Sequence, residues 1–314
     1  VWMDVQGIET PTNPNDTSWD AWRQQLSALS IPEVFAARGT DDIWISTYGF
    51  GLHQVDQILA VGSAPDFVVV MRGDFDEEEL LAAWADSGYQ AVRVDGVTYW
   101  SLNPGGSVDL SAPASRPALG NMNNLVLLDD GTLIATSRSA RLEQAISAAR
   151  GNSPNLADNA DIRALLSSGI EPHRLVTAIL LKGTVLEELT IPSPGAEIAT
   201  PVPELPQAKL MLAGLHVQPE AEIRTTMMIV AVYDSAADAT FAQRRVQTML
   251  AQDSSRITGM PYSDRLQPVA TRVISTRDNQ QLLLMHLKLV DGSADWLEII
   301  EQRDLGFLMW PRVP

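Results

Sequence analysis

The chain is 314 residues long, carries 22 Lys and Arg against 39 Asp and Glu for a formal net charge of −17, and has no cysteine. That charge repels nucleic-acid backbones and anionic membrane surfaces, and no basic patch stands against it: the densest basic spot, Arg244-Arg245, sits in a helical pattern. The absence of cysteine excludes disulfides, thiolate metal sites and a cysteine nucleophile, while 45% hydrophobic and 19% charged residues describe a globular protein with a core of its own.

The first residues read VWMDVQGIETPTNPNDTSW, and Glu9 to Ser18 is rich in Thr, Asn, Pro and Asp, like the tether that follows a signal peptide or lipoprotein leader. Export, free or lipid-anchored, is therefore the expected compartment, with the cytoplasm as the alternative. Trp19, Trp22, Leu26 and Leu29 then share one helical face that Pro32 closes, so residues 1–34 are expected to form a tether and a helix. No apolar run approaches the ~18 residues a membrane span needs.

DIWISTYGFG alternates like a strand before its glycines, and QILAVGSAPDFVVVMRG reads as two strands joined at Ala64-Pro65-Asp66. Val68 to Met71 is apolar at every position, as in a strand covered on both faces. Arg72-Gly73-Asp74, which animal integrins recognise in other contexts, falls where this strand hands over to a helix. Leu80, Leu81 and Trp84 form the stripe of that helix, and Asp76, Glu77, Glu78 and Glu79 crowd its first turn, where carboxylates meet the positive end of the helix dipole. Asp74 with Glu77, or Asp76 with Glu79, supplies a capping spacing, and Gly88 ends the helix. The tripeptide thus reads as punctuation between elements. A hairpin turning at Asp95-Gly96 follows, then an irregular stretch from Asn103 to Asn124, a second hairpin at Asp130-Gly131 and two short helices.

Beyond Arg174 come a buried strand, a long loop from Ile191 to Pro206 with five prolines, and a hairpin around Pro219-Glu220. A helix capped by Ser235, a hairpin near Asp278-Asn279 and a closing helix and strand complete the chain. Hairpins separated by single helices predict an α+β fold of two diverged αβ units, residues 35–169 and 170–314, with mostly antiparallel sheets and helices packed on one face. The element order repeats between the halves, which points to an internal duplication.

Chemical constellations are sparse. His53, His173, His216 and His286 show no metal-ligand spacing, and no G-x-S-x-G, S-x-x-K or Walker pattern occurs. Gly49 and Gly51 begin a dinucleotide-like run that Gln54 breaks, and Glu187-Glu188 reads as two solvated charges. Asp129-Asp130-Gly131 lacks the spaced acids of a calcium loop. No metal or cofactor is expected. Aromatics beside glycine at strand ends suggest one shallow ligand-binding surface, made of Tyr48, Phe50, His53, Tyr99 and Trp100.

Gly73-Asp74-Phe75-Asp76, Gly88-Tyr89, Gly96-Val97 with Tyr99-Trp100, and Leu156 to Asn159 together resemble a unit of uncharacterised bacterial exported proteins and lipoproteins, over residues 66–168. The resemblance implies a fold and a compartment, and no catalytic residue. The expectation is a non-enzymatic extracytoplasmic binding or structural module that meets an unidentified protein or envelope polymer. The alternatives are a hydrolase-type enzyme whose site assembles only in three dimensions, and a docking subunit of an envelope complex.

Overall fold

The computed structural model describes residues 2–4, 35, 42–63, 66–108, 117–167, 175–182, 206, 208–217, 225–255, 258–290, 296 and 299–300. The predicted helix at Trp19–Leu29, Glu187-Glu188, His173, most of the proline-rich loop and residues 301–314 lie outside them. The fold is α+β, and the chain forms two compact units, Val1–Asn155 and Leu156–Pro314. No helix of the described residues is long and apolar enough to cross a membrane.

The first unit orders its strands β1-β2-β3-β7-β6-β5-β4, all neighbours antiparallel. These are β1 (Trp2–Asp4), β2 (Val55–Ser63), β3 (Asp66–Gly73), β4 (Gln90–Val94), β5 (Val97–Ser101), β6 (Asn124–Leu127) and β7 (Leu133–Thr136). Its helices are α1 (Asp42–Tyr48), α2 (Glu77–Asp86) and α3 (Ser139–Ala149). The hairpin turns form where expected: Asp95 and Gly96 both take positive φ (51° and 81°), as a two-residue turn demands, and Gly131 does the same at 79°. Asp76 is the cap of α2, its carboxylate accepting from the Glu79 amide at 3.0 Å, and Gly88 leaves the helix at φ 89°.

Residues 42–48 are helical, which corrects the strand expected there. The residues buried in α1 are Trp44, Thr47 and Tyr48, a helical spacing, whereas Ile43 is 61% exposed. Aromatic packing decides the matter: Trp44 meets Phe35, Tyr48 and Phe50 with ring centroids 5.2, 4.6 and 6.1 Å away.

Helices meet this sheet from both sides rather than one, because alternation along the strands leaves apolar residues on each face. Val97, Tyr99, Val126 and Ile134 pack against Leu142 and Ile146 of α3, with Val68 and Val70 beside them. Trp100, on the opposite face of β5, meets Trp84 of α2 with centroids 6.3 Å apart. Arg72 and Gly73 are the last residues of β3, and the Asp74 amide donates to the Gln54 carbonyl at 2.9 Å. A Cβ at Gly73 would run into that carbonyl, so glycine is required by close backbone approach.

The second unit orders its strands β11-β12-β10-β9-β8, again antiparallel. They are β8 (Leu175–Lys182), β9 (Leu210–Val217), β10 (Thr225–Tyr233), β11 (Leu266–Ser275) and β12 (Gln281–Leu289). Helices α4 (Ala160–Ser167), α5 (Ala236–Gln252) and the short α6 (Tyr262–Arg265) accompany them, α4 lying against β9 and β10. Ser235 caps α5 by accepting from the Asp238 amide at 3.1 Å. The core stacks Ala239, Ala242, Val246 and Met249 of α5 on Met227, Ile229, Ala231, Leu283, Met285 and Leu287. On the other face Met228, Val230, Val232, Leu282 and Leu284 are buried too, so β10 has water on neither side.

Candidate functional site

The five aromatic and histidine positions expected to form one surface do not come together. Tyr48 and Phe50 are 1% and 0% exposed and belong to the aromatic core around Trp44, which Phe75 joins through Phe50 at 5.4 Å. Burial raises the Tyr48 phenol well above its ordinary pKa, so it stays protonated there. His53 sits half-buried in the single turn Leu52–Gln54, where desolvation lowers its pKa. Tyr99 is buried under α3 and donates to the Glu143 carboxylate at 3.2 Å, and its pKa is raised first by burial and then by that negative neighbour. Trp100 alone reaches a cleft. Adjacent strand residues point to opposite faces, so Tyr99 and Trp100 were never able to share a surface.

That cleft has a volume of about 680 Å³. One wall is α2, through Glu77, Leu81 and Trp84; the other is the sheet face carrying Thr98, Trp100 and Leu127. Its mouth is bounded by the two hairpin turns, at Gly96 and at Asp129-Asp130, and by Arg150 beyond the end of α3. Trp84 is fully buried and fixed by its indole N–H, which donates to the Tyr48 carbonyl at 2.9 Å. The Trp84 ring in turn holds Trp100 at a tilted, edge-on angle of 61°. Half-buried Trp100 thus presents a positioned ring to the opening.

One carboxylate at the mouth, Asp130, is held in its ionised form. The Asp130 carboxyl is held below its ordinary pKa by hydrogen bonds from the Thr132 side chain and amide, which outweigh the opposing effect of burial, with a weaker contribution from the charge of Arg72. The Thr132 amide reaches it at 3.0 Å and the Arg72 guanidinium lies at 3.9 Å. A general acid needs the reverse, a carboxyl whose proton persists toward neutrality. The Arg150 guanidinium donates to the Asp95 carbonyl at 2.7 Å, at the tip of the β4–β5 hairpin. Among the described residues no group of three or more His, Asp or Glu is placed to hold a metal ion.

Sequence reasoning missed Leu81, Trp84, Asp129, Asp130 and Arg150 as partners of Trp100. Trp84 was visible as the stripe of α2, and Asp129-Asp130 as a turn, but nothing local tells that the turn and the helix meet across β5. In the second unit, His216 and His286 lie ring to ring at 5.3 Å on one sheet face, beside the Thr226 hydroxyl. Burial, then the His216 ring and Arg272, lowers the His286 pKa to about 4.

Comparison of this chain with protein-family models, with curated proteins and with solved structures returned no match in any of the three.

Proposed function

We propose that the chain is an exported binding module, free or lipid-anchored, made of two diverged copies of one αβ unit, and that the cleft between α2 and β5–β6 is its ligand site. The observation that carries this reading is the positioned, half-exposed Trp100 facing a 680 Å³ opening. Ligand cavities run to roughly 300–1,000 Å³, and this one falls in that range, with Trp100, Leu81 and Leu127 set among charged groups. The ionised state of Asp130 suits recognition by charge and hydrogen bonding over acid–base work. The tether-like composition of residues 9–18 supports export.

The test is to follow the Trp100 indole N–H resonance, assigned by its loss in Trp100→Phe, while candidate peptides and envelope polymers are added. A compound that shifts this resonance saturably and is recovered unchanged supports the reading. Conversion of the bound compound would overturn its non-enzymatic part, and a compound that binds only the second unit would overturn the location.

A further inference from the structure

We infer that the cleft takes a basic peptide segment, a stretch of extended chain that lays a lysine or arginine over Trp100 and between the rim carboxylates. This rests on reading the cleft as the ligand site and adds the chemistry of its occupant. The lining contains Glu77, Asp129 and Asp130 against one cation, Arg150, whose guanidinium is bonded to the Asp95 carbonyl. The positive end of α2 does not offset them, because Glu77, Glu78 and Glu79 crowd its first turn. What remains is a negative mouth around an aromatic floor. A cation set over an indole face gains from the ring quadrupole, most strongly for tryptophan.

Three further observations favour a peptide. An anionic envelope polymer is opposed by the chain's net charge of −17, and a neutral glycan would leave the three lining carboxylates without a counter-charge. The volume, about 680 Å³, exceeds what a lone ammonium group fills and leaves room for the backbone and side chains that carry it. Finally, one rim carboxylate already has a cation beside it, supplied from outside the cleft lining. Arg72 lies at 3.9 Å from Asp130, with the two side chains 67% and 60% exposed. Pairs this exposed are nearly neutral in free energy, so an arriving cation can displace Arg72 at little cost. Arg72 is then a weak internal competitor. That gives the first residue of the integrin-type tripeptide a role unrelated to adhesion.

Calorimetric titration of the intact protein with a synthetic peptide of alternating lysine and leucine tests this, beside the same peptide acetylated on every lysine and a neutral oligosaccharide. The lysine peptide is expected to bind, and to lose at least about tenfold in affinity on acetylation, in the double variant Asp129→Asn/Asp130→Asn, and in Trp100→Ala. Raised salt should weaken it. Arg72→Ala, at an exposed position, should tighten it by about two- to fivefold. Trp100→Phe, which keeps an aromatic floor, separates loss of the site from loss of the fold.

Equal binding of the acetylated peptide, or unchanged affinity in the asparagine double variant, overturns the inference. If the oligosaccharide binds instead, and loses affinity in Trp100→Ala alone, the cleft stands as a ligand site and the basic peptide falls. If no probe moves the Trp100 resonance, both fall together.

Discussion

The two units share a run of elements, and the first has a hairpin within that run that the second lacks. Each runs hairpin, helix, hairpin, and each pairs the second strand of its opening hairpin with the second strand of its closing one: β3 with β7, and β10 with β12. The second unit passes directly from α5, through the short α6, to β11–β12. The first places β4–β5 between α2 and β6–β7, and the sheet carries that hairpin at its far edge. Thr98, Trp100 and the Gly96 turn all belong to the added hairpin, so the extra element is the one that builds the cleft. In the second unit apolar residues are buried on both faces of β10, and nothing of that strand is left for a ligand. A strand covered twice fixes a shape, whereas an edge hairpin covered mainly on one side keeps a surface to use.

The largest test of that contrast puts a carboxylate into each sheet. Val230→Asp on β10 buries a charge with no partner and should cost more than about 4 kcal/mol, leaving the second unit unfolded in a denaturant titration. Thr98→Asp, at an exposed position of β5, should stay within about 0.5 kcal/mol. Equal losses would mean that the edge hairpin is as much core as β10.

Trp84→Ala comes next. It empties a fully buried site and strands the Tyr48 carbonyl, so about 3–5 kcal/mol should disappear from the first unit, read as a lowered unfolding midpoint.

Acid should single out the second unit. The unfolded chain takes a proton on His286 near pH 6.5, while the folded ring stays neutral down to about pH 4. Between those values the unfolded state binds more protons, so stability is complete above pH 6.5 and falls as the pH drops toward 4. The shift would be worth about 3 kcal/mol for a fully buried group, and solvent screening at this half-buried ring reduces it to about 1–2 kcal/mol. Urea midpoints measured across that range should fall in the native protein, and fall less in His286→Gln.

The smallest effects should be alike. Asp76→Ala and Ser235→Ala each remove the cap of the helix that follows the opening hairpin, and each should cost about 1 kcal/mol in thermal unfolding. Unequal losses would show that the two helices are anchored differently despite their common place in the order.

Much of the scaffold could be read in advance, because the residues that set it act locally. Asp95-Gly96, Gly131, Asn279, Asp76 and Ser235 each fix a turn or a cap through their own backbone and side chain, and each does so in the structure. Residues 42–48 defeated the same reasoning. Ile43, Trp44, Ile45 and Thr47 have strand-forming side chains and alternate plausibly. Yet the chain is helical there because Trp44, packed one turn from Tyr48, is drawn into contacts with Phe35 and Phe50 that no local rule contains. The cleft was half legible. Trp100 stood out as an aromatic at a strand end, but grouping it with Tyr99 treated sequence neighbours as spatial ones. Its actual companions come from α2 and from the Asp129-Asp130 turn, brought in by the antiparallel stacking of β5 on β6 and β6 on β7.

The ladder joining the added hairpin to the rest of its sheet is short. β5 pairs with β6 only at Trp100 with Leu125 and Ser101 with Asn124, the latter tied by a buried hydroxyl-to-amide bond of 2.7 Å. β10, by contrast, is laddered to β12 from Thr226 through Tyr233. Opening of the β4–β5 hairpin breaks few ladder bonds, and its amide protons should exchange with solvent before those of β10. The same hairpin is the wall of the cleft that carries Trp100, so an occupant of the opening is expected to slow exchange along Val97 to Ser101.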